Sequence, residues 1–295
     1  MDIYAHRAGR GLAPENTLEA CAMSLQFEID FIDFDIGMTR DGQLVVTHDL
    51  ALNPDITRGP DGKFITEETP VCEMSYSELS CFNVGLINPN VPYASYFPLQ
   101  RPFPFARIPR LKDAIQYVQK HVGSSVGFQI EIKTDPTAPH LSHSPEKFAE
   151  ALANLLRETG IIENTEVQAF DYRCLLALQH LDPSIKTAFL THPFDHESSL
   201  GPWLAGHDLQ KYGGSYPRLI HSLGGGVWGP FQMEVTQEVF LEAKALDLKV
   251  VVWGYPEKEG TDFNAQQIKK LITWGIDGII TDRPDLLRQH LEDQA

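Results

Sequence analysis

Short apolar runs of strand length alternate along this chain with longer stretches in which apolar residues recur every three or four positions. The first pattern predicts strands at 2–6, 30–36, 126–132, 165–170, 185–190, 224–228, 249–254 and 277–281. The second predicts helices at 15–28, 110–122, 145–159, 171–181, 235–247 and 264–274, with a last one from about 284. Local punctuation agrees with this division. Ser144-Pro145-Glu146 reads as an N-cap followed by proline at the first helical position, and Gly160 and Gly275 stand where a helix ends in a left-handed residue. Strands and helices in strict alternation predict an α/β chain whose eight parallel strands close into a TIM-type (β/α)8 barrel.

Two stretches break the rhythm. Residues 192 to 222 are punctuated by His, Pro and Gly. Residues 50–107 are rich in Pro, Asn, Gly and aromatic side chains and carry no strong helical period. This second stretch follows the second βα region, on the side where a barrel keeps its active-site loops. It is expected to be an inserted cap on a single domain spanning 1–295; the alternative is a surface excursion without a role in the site.

Side chains alternate across a strand, which sorts the ionisable residues by facing direction. Asp33 and Asp35 share one face while Ile32, Phe34 and Ile36 share the other; Gln129, Glu131 and Lys133 are likewise separated from Phe128, Ile130 and Ile132. With the apolar faces packed on helices, the carboxylates look into the barrel. Three carboxylates drawn together repel one another, and a hard divalent cation held by oxygen ligands, Mg²⁺ or Ca²⁺, relieves the repulsion. The plainer reading is that Asp33 and Asp35 hold the neighbouring loop. His6 ends the first strand and His48 ends the run Leu44-Val45-Val46-Thr47, so both reach the mouth, where imidazoles take and return protons. Arg7 offers a planar fork and Lys133 a point charge for phosphate oxygens. Phe170 and Trp253, also at strand ends, are candidate walls of the pocket. The remaining histidines, among them His140, His143, His192 and His196, are read as solvated.

Composition narrows the partners. The chain has 24 Lys and Arg against 40 Asp and Glu, a formal charge of −16, which repels nucleic acid and anionic lipid; neither nucleic acid nor a stable membrane association is expected. An anionic substrate would therefore need local cations or a metal ion. The four cysteines show no paired spacing and suit free thiols in a reducing compartment, so a cytoplasmic location is expected, with a periplasmic or secreted one as the alternative if a leader is removed.

The ordered motifs Ala5-His6-Arg7, Pro14-Glu15-Asn16-Thr17, Asp33-Phe34-Asp35, Thr39-Arg40-Asp41-Gly42 and Val46-Thr47-His48-Asp49 resemble those of the glycerophosphodiester phosphodiesterase family. So do Ile130-Glu131-Ile132-Lys133, Val167-Gln168-Ala169-Phe170-Asp171, Val252-Trp253 and Gly275 to Asp282. The resemblance implies metal-dependent hydrolysis of a glycerophosphodiester, such as glycerophosphocholine or glycerophosphoethanolamine, to sn-glycerol 3-phosphate and an alcohol. It implies metal binding by Asp33, Asp35 and Glu131, acid and base roles for His6 and His48, and phosphate contacts from Arg7 and Lys133. The chain departs from the family pattern at Asp33, where Glu is usual, at Ala169, where Ser is usual, and at Trp228-Gly229-Pro230. Two other functions fit the same barrel: a phosphodiesterase acting on phospholipid headgroups, and a polyol-phosphate-binding barrel without catalysis.

Overall fold

The computed structural model describes residues 1–193, 200–256 and 262–293. In chain order the elements are β1 (Asp2–Ala5), α1 (Leu18–Ser24), β2 (Phe31–Met38), β3 (Leu44–Val46), α2 (Tyr76–Leu79), α3 (Leu111–Val122), β4 (Gly127–Ile132), α4 (Pro145–Thr159) and β5 (Thr165–Ala169). They continue with α5 (Tyr172–Leu181), β6 (Lys186–Thr191), α6 (Leu200–Trp203), α7 (Tyr216–Ser222), β7 (Val227–Pro230), α8 (Gln237–Ala245), β8 (Lys249–Trp253), α9 (Ala265–Trp274), β9 (Gly278–Thr281) and α10 (Pro284–Glu292). The parallel strands run β1-β9-β8-β7-β6-β5-β4-β2, and β1 pairs with β2 to close the barrel. All eight strands predicted from the pattern are present.

The differences lie at element ends. The predicted helix 15–28 shrinks to α1, because Thr17 is its N-cap, accepting the Ala20 N–H, and residues 9–16 are taken up by a hydrogen-bonded turn. The strand predicted at 224–228 begins only at Val227, since Gly224 adopts a left-handed φ of 73° that no strand can hold. Beyond its parallel pairing, β2 extends to Met38 and turns back through Thr39–Gln43 into antiparallel β3. Gly42, at φ 78°, makes that turn possible. Thr47 N–H then donates to Asp35 O at 2.9 Å, which carries the next residue, His48, back over the end of β2.

Two apolar regions result from strand alternation. Outward-facing Ile32, Phe34, Ile36, Phe128, Ile130 and Ile132 join the helices in the main core. The barrel interior is different and two-sided. Tyr4, Ala188, Leu190, Val227, Val251, Trp253 and Ile280 fill one side with apolar groups. The other side is polar, with Asp33, Asp35, Gln129, Glu131, Glu166 and Gln168 all buried. Register places Asp33 beside Gln129, and Asp35 beside Glu131, itself beside Gln168, so the polar side chains stack in layers.

Residues 50–107 contain more local structure than their sequence predicts. Ser75 and Glu78 form a capping box on α2, and Pro92–Tyr96 forms a 3-10 turn. Leu52, Val71, Met74, Leu79 and Val84 pack with Val45 and Ile108 into a small core of their own. Tyr93 and Phe97 turn inward to Arg10, whereas Phe105 is exposed. Among the described residues no helix is long and apolar enough to cross a membrane.

The N-terminal end of the barrel is closed by a charged plug. Lys249 Nζ donates to Glu166 Oε1 at 3.0 Å and to Tyr4 Oη at 2.6 Å, and pairs with Asp2 at 2.9 Å; Tyr4 donates to Glu166 Oε2 at 2.9 Å. Among the described residues, removing the ammonium leaves buried Glu166 with only Lys186 as a cation, 3.7 Å away. Lys249→Met is therefore expected to lower stability by about 3 kcal/mol in urea unfolding, the scale for breaking one side of a buried pair. Turnover of the folded fraction should be unchanged, because the plug lies at the end of the barrel opposite the strand C-termini.

Candidate active site

The loop after β1 carries unusual backbone geometry. Arg7 (φ 48°) and Ala8 (φ 64°) are both left-handed without being glycine, and Gly9 follows at φ 94°. Such residues each carry on the order of 1–3 kcal/mol of strain and persist only where surrounding contacts hold them. Here Ser24 Oγ donates to Ala8 O at 2.7 Å, and a Cβ on Gly9 would lie 2.0 Å from that same Oγ. The turn aims the Arg7 side chain across the mouth. Its Nη1 meets Glu15 Oε1 at 2.7 Å and its Nε stands 3.4 Å from Asp35 Oδ2.

Eight of the predicted side chains, His6, Arg7, Asp33, His48, Glu131, Lys133, Phe170 and Trp253, line one cavity at the C-terminal ends of the strands. Asp35, the ninth, is buried beside them. Asn16 Nδ2 donates to Asp35 Oδ2 at 2.8 Å, and the Asp35 N–H donates back to Asn16 Oδ1 at 3.3 Å. Asp35 thus does hold the neighbouring loop, and it also pairs with Lys133 at 3.1 Å. Lys133 donates to Glu131 as well, and Gln168 Nε2 donates to Asp33 Oδ1 at 2.8 Å.

The three carboxylates do not share their charge equally. Burial, with the neighbouring charges of Asp35 and Glu131, raises Asp33 well above the usual range. Burial, together with repulsion from Asp35, pushes Glu131 up to about 7 against the pull of Lys133. Asp35 moves the other way, because the charges of Lys133 and Arg7 outweigh its burial. In donor chemistry the set fits a hard divalent cation: three buried carboxylates two of which resist ionising, with Gln129 Oε1 and Gln168 Oε1 left without hydrogen-bond partners in the same interior. In arrangement the set is closed around Lys133. Among the described residues no three His, Cys, Asp or Glu side chains are grouped to hold an ion as they stand.

Each histidine is held by an aspartate through Nδ1. His6 Nδ1 lies 2.7 Å from Asp282 Oδ1, and His48 Nδ1 lies 2.8 Å from Asp49 Oδ1, which Asn53 also supports. In each ring Nε2 is the nitrogen left for the cavity. Burial lowers His6 despite the Asp282 charge; burial, then Arg7 and Lys133, bring His48 down to about 4. Both rings are therefore neutral near pH 7.

Several participants escaped the sequence reading. Arg10 and Tyr255 line the cavity, and Glu15 pairs with Arg7. Asp282 follows β9 directly, so the rule that placed His6 and Phe170 at strand ends could have found it. Arg10 had no such signal, lying inside an irregular turn. Two histidines read as solvated are not: His143 Nε2 is 2.9 Å from Thr39 O, and His192 is half-buried among Phe231, Trp253 and Tyr255. His196 lies outside the described residues.

The profile of the "Glycerophosphoryl diester phosphodiesterase family" matches residues 6–286. A glycerophosphodiester phosphodiesterase of Bacillus altitudinis is 27% identical over 96% of this chain and 95% of its own length. A crystal structure from Silicibacter pomeroyi DSS-3, carrying the glycerophosphoryl diester phosphodiesterase name, superposes with a TM-score of 0.88 at 29% identity, covering 100% of this chain and 94% of that one. An Oleispira antarctica phosphodiesterase solved with the product sn-glycerol-3-phosphate shares the fold, with a TM-score of 0.72 at 18% identity, covering 99% of this chain and 97% of that one. With the barrel closed, the motifs gathered at one mouth and the family profile matched from His6 to Leu286, the chain belongs to the glycerophosphoryl diester phosphodiesterase family.

Proposed function

We propose that the glycerophosphodiester phosphodiesterase activity of this chain runs by acid and base catalysis at His6 and His48, in a single barrel domain whose insertion at 50–107 caps the site. The observation that carries this reading is the pair of aspartate-held imidazoles lining one cavity with Arg7 and Lys133. Substrate phosphate would sit between the Arg7 fork and the Lys133 ammonium, displacing part of their present pairing with Glu15, Asp35 and Glu131. Phe170 and Trp253, their rings 5.5 Å apart edge to face, would receive the less polar part of the substrate.

Neutral His6 takes the proton of the free glycerol hydroxyl next to the phosphate through Nε2. The hydroxyl oxygen bonds to phosphorus, the bond to the alcohol oxygen breaks, and His48, which takes up a proton from solvent as the bound phosphate offsets Arg7 and Lys133, gives that proton from its imidazolium to the departing oxygen. Water then opens the cyclic phosphate to sn-glycerol 3-phosphate, with the proton transfers reversed. The Oleispira antarctica phosphodiesterase, bound to that product on the same fold, supports the product assignment. Asp33, Asp35 and Glu131 would hold Mg²⁺ or Ca²⁺, which when bound supplies positive charge beside the phosphate. Asp33, one methylene shorter than the usual Glu, reaches less far from β2 toward it.

Release of glycerol 3-phosphate from glycerophosphocholine or glycerophosphoethanolamine tests the reading. His6→Ala and His48→Ala are each expected to lower kcat on the order of 10²-fold or more; a folded variant with undiminished kcat would remove that histidine from the chemistry. Chelation should abolish turnover, and added Mg²⁺ or Ca²⁺ should restore it, whereas full activity in chelator would dismiss the metal. Arg7 and Lys133 help hold His48 protonation down to about 4. Phosphate bound between them offsets those charges and favours the imidazolium. The His48 midpoint, followed by NMR, is therefore expected to rise when inorganic phosphate is added; an unmoved midpoint in a protein that binds phosphate would place the anion elsewhere.

A further inference from the structure

Behind His6 lies an array of buried groups centred on Asp282 and Arg10, joined to Glu15 through Tyr93. Asp282 is fully buried just past the end of β9. Its Oδ1 lies 2.7 Å from His6 Nδ1 and accepts Arg10 Nε at 3.0 Å, while its Oδ2 accepts Arg10 Nη2 at 2.9 Å. Its backbone N–H donates to Asp262 Oδ2 at 2.7 Å, and Thr281 Oγ1 donates to Asp262 Oδ1 at 2.8 Å. Arg10, itself 4% exposed, is gripped from the inserted segment. Its guanidinium lies 4.7 Å over the Phe97 ring, Nη1 donates to Tyr93 Oη at 3.3 Å, and Gln100 Nε2 donates to Arg10 O at 2.8 Å.

This geometry favours one tautomer of His6: Arg10 Nη2 also stands 3.4 Å from Nδ1, but it is already committed to Asp282 Oδ2 at 2.9 Å. A guanidinium is always charged and only donates, so its fork keeps Asp282 ionised and in one orientation. With Nδ1 protonated, the imidazole donates to Asp282 Oδ1. With Nδ1 bare, two acceptors would face each other at 2.7 Å in a buried setting, which is repulsive. We propose that Asp282 and Arg10 are positioning residues that hold His6 as its Nδ1–H tautomer, and that Tyr93, Phe97 and Gln100 of the inserted segment brace Arg10 for that purpose. The insertion then acts on the chemistry through His6 as well as covering the pocket. This inference rests on the reading in which His6 takes a proton through Nε2.

The two dyads differ in a way that belongs to this proposal. Asp49, behind His48, is 36% exposed in its side chain and has an amide, Asn53, in place of a guanidinium fork. His48 is thus free to change its proton state with less rearrangement, and His6 is the rigid member of the pair.

The test is the imidazole tautomer itself, read from two-bond ¹H–¹⁵N correlations of the full-length ¹⁵N-labelled protein, with the His6 signals identified by their loss in His6→Gln. Wild type is expected to show Nδ1–H. Asp282→Asn removes the second acceptor and sets an amide N–H₂ among the donors, so the Nε2–H form should appear. The corresponding kcat should fall on the order of 10³-fold or more, the scale seen when an enzyme's histidine is locked in the wrong tautomer, with KM changed less than about threefold. Arg10→Lys keeps the charge but loses the fork, and is expected to shift the tautomer in the same direction with a smaller loss of kcat; it serves if Asp282→Asn does not fold. Phe97→Ala should lower kcat in the same sense. His6 remaining wholly Nδ1–H with kcat within about threefold in the folded variants would overturn the proposal. A shifted tautomer with undiminished kcat would support the positioning and instead refute His6 as the proton acceptor.

Discussion

Everything at the mouth of this barrel is organised around one buried carboxylate. Asp35 keeps its charge because Lys133 and Arg7 outweigh the penalty of burial, and that retained charge in turn holds the elements that supply them. Asn16 ties it to the strained loop after β1, Lys133 to the end of β4, and the Thr47 N–H to the returning strand that carries His48. A buried ion network of this kind does not by itself make a fold more stable than apolar packing would. Its effect is on position: three separate chain segments are brought to one point with their side chains aimed inward.

The retained charge of Asp35 also sets the condition of its neighbours. Asp33 and Glu131, in the same interior, resist ionisation because burial disfavours their charged forms and one carboxylate nearby already carries charge. The two histidines stay neutral because Arg7, Arg10 and Lys133 surround them after burial has already disfavoured the imidazolium. Neutral imidazoles beside fixed cations are suited to an anionic phosphodiester, whose arrival compensates the cations and makes protonation of an imidazole less costly. The strongly acidic surface charge of the whole chain is overcome locally, not globally.

The opposite side of the barrel interior gives the site its second character. Leu190, Trp253 and Ile280 continue from the apolar interior into the cavity, and Phe231, His192 and Tyr255 extend the aromatic wall outward. Charge on one side and rings on the other would orient an amphipathic ester without a dedicated contact for every atom. The inserted segment adds a third boundary, since Tyr93 and Phe97 reach from it to the same arginine that supports His6.

Strand periodicity decides the barrel before any contact is considered, because a period of two separates Ile32, Phe34 and Ile36 from Asp33 and Asp35 whatever their surroundings. The same local rule places His6, Phe170 and Trp253 at strand ends, and the spaced motifs identify the family. Other features arise only from closure of the sheet. Closure brings Asp282, at the far end of the chain, to 2.7 Å from His6, and no local pattern links residues 276 positions apart. Left-handed Arg7 and Ala8 and the shortened first helix depend on Ser24, Thr17 and Asp282 closing a loop whose own residues favour no single conformation. Arg10 and the insertion's hold on it are of the same kind. The chain thus specified which groups face inward through alternation along each strand, while the pairing of charge with charge, and hence which groups are ionised, was decided by tertiary structure, because burial and partners together set the charge of a side chain.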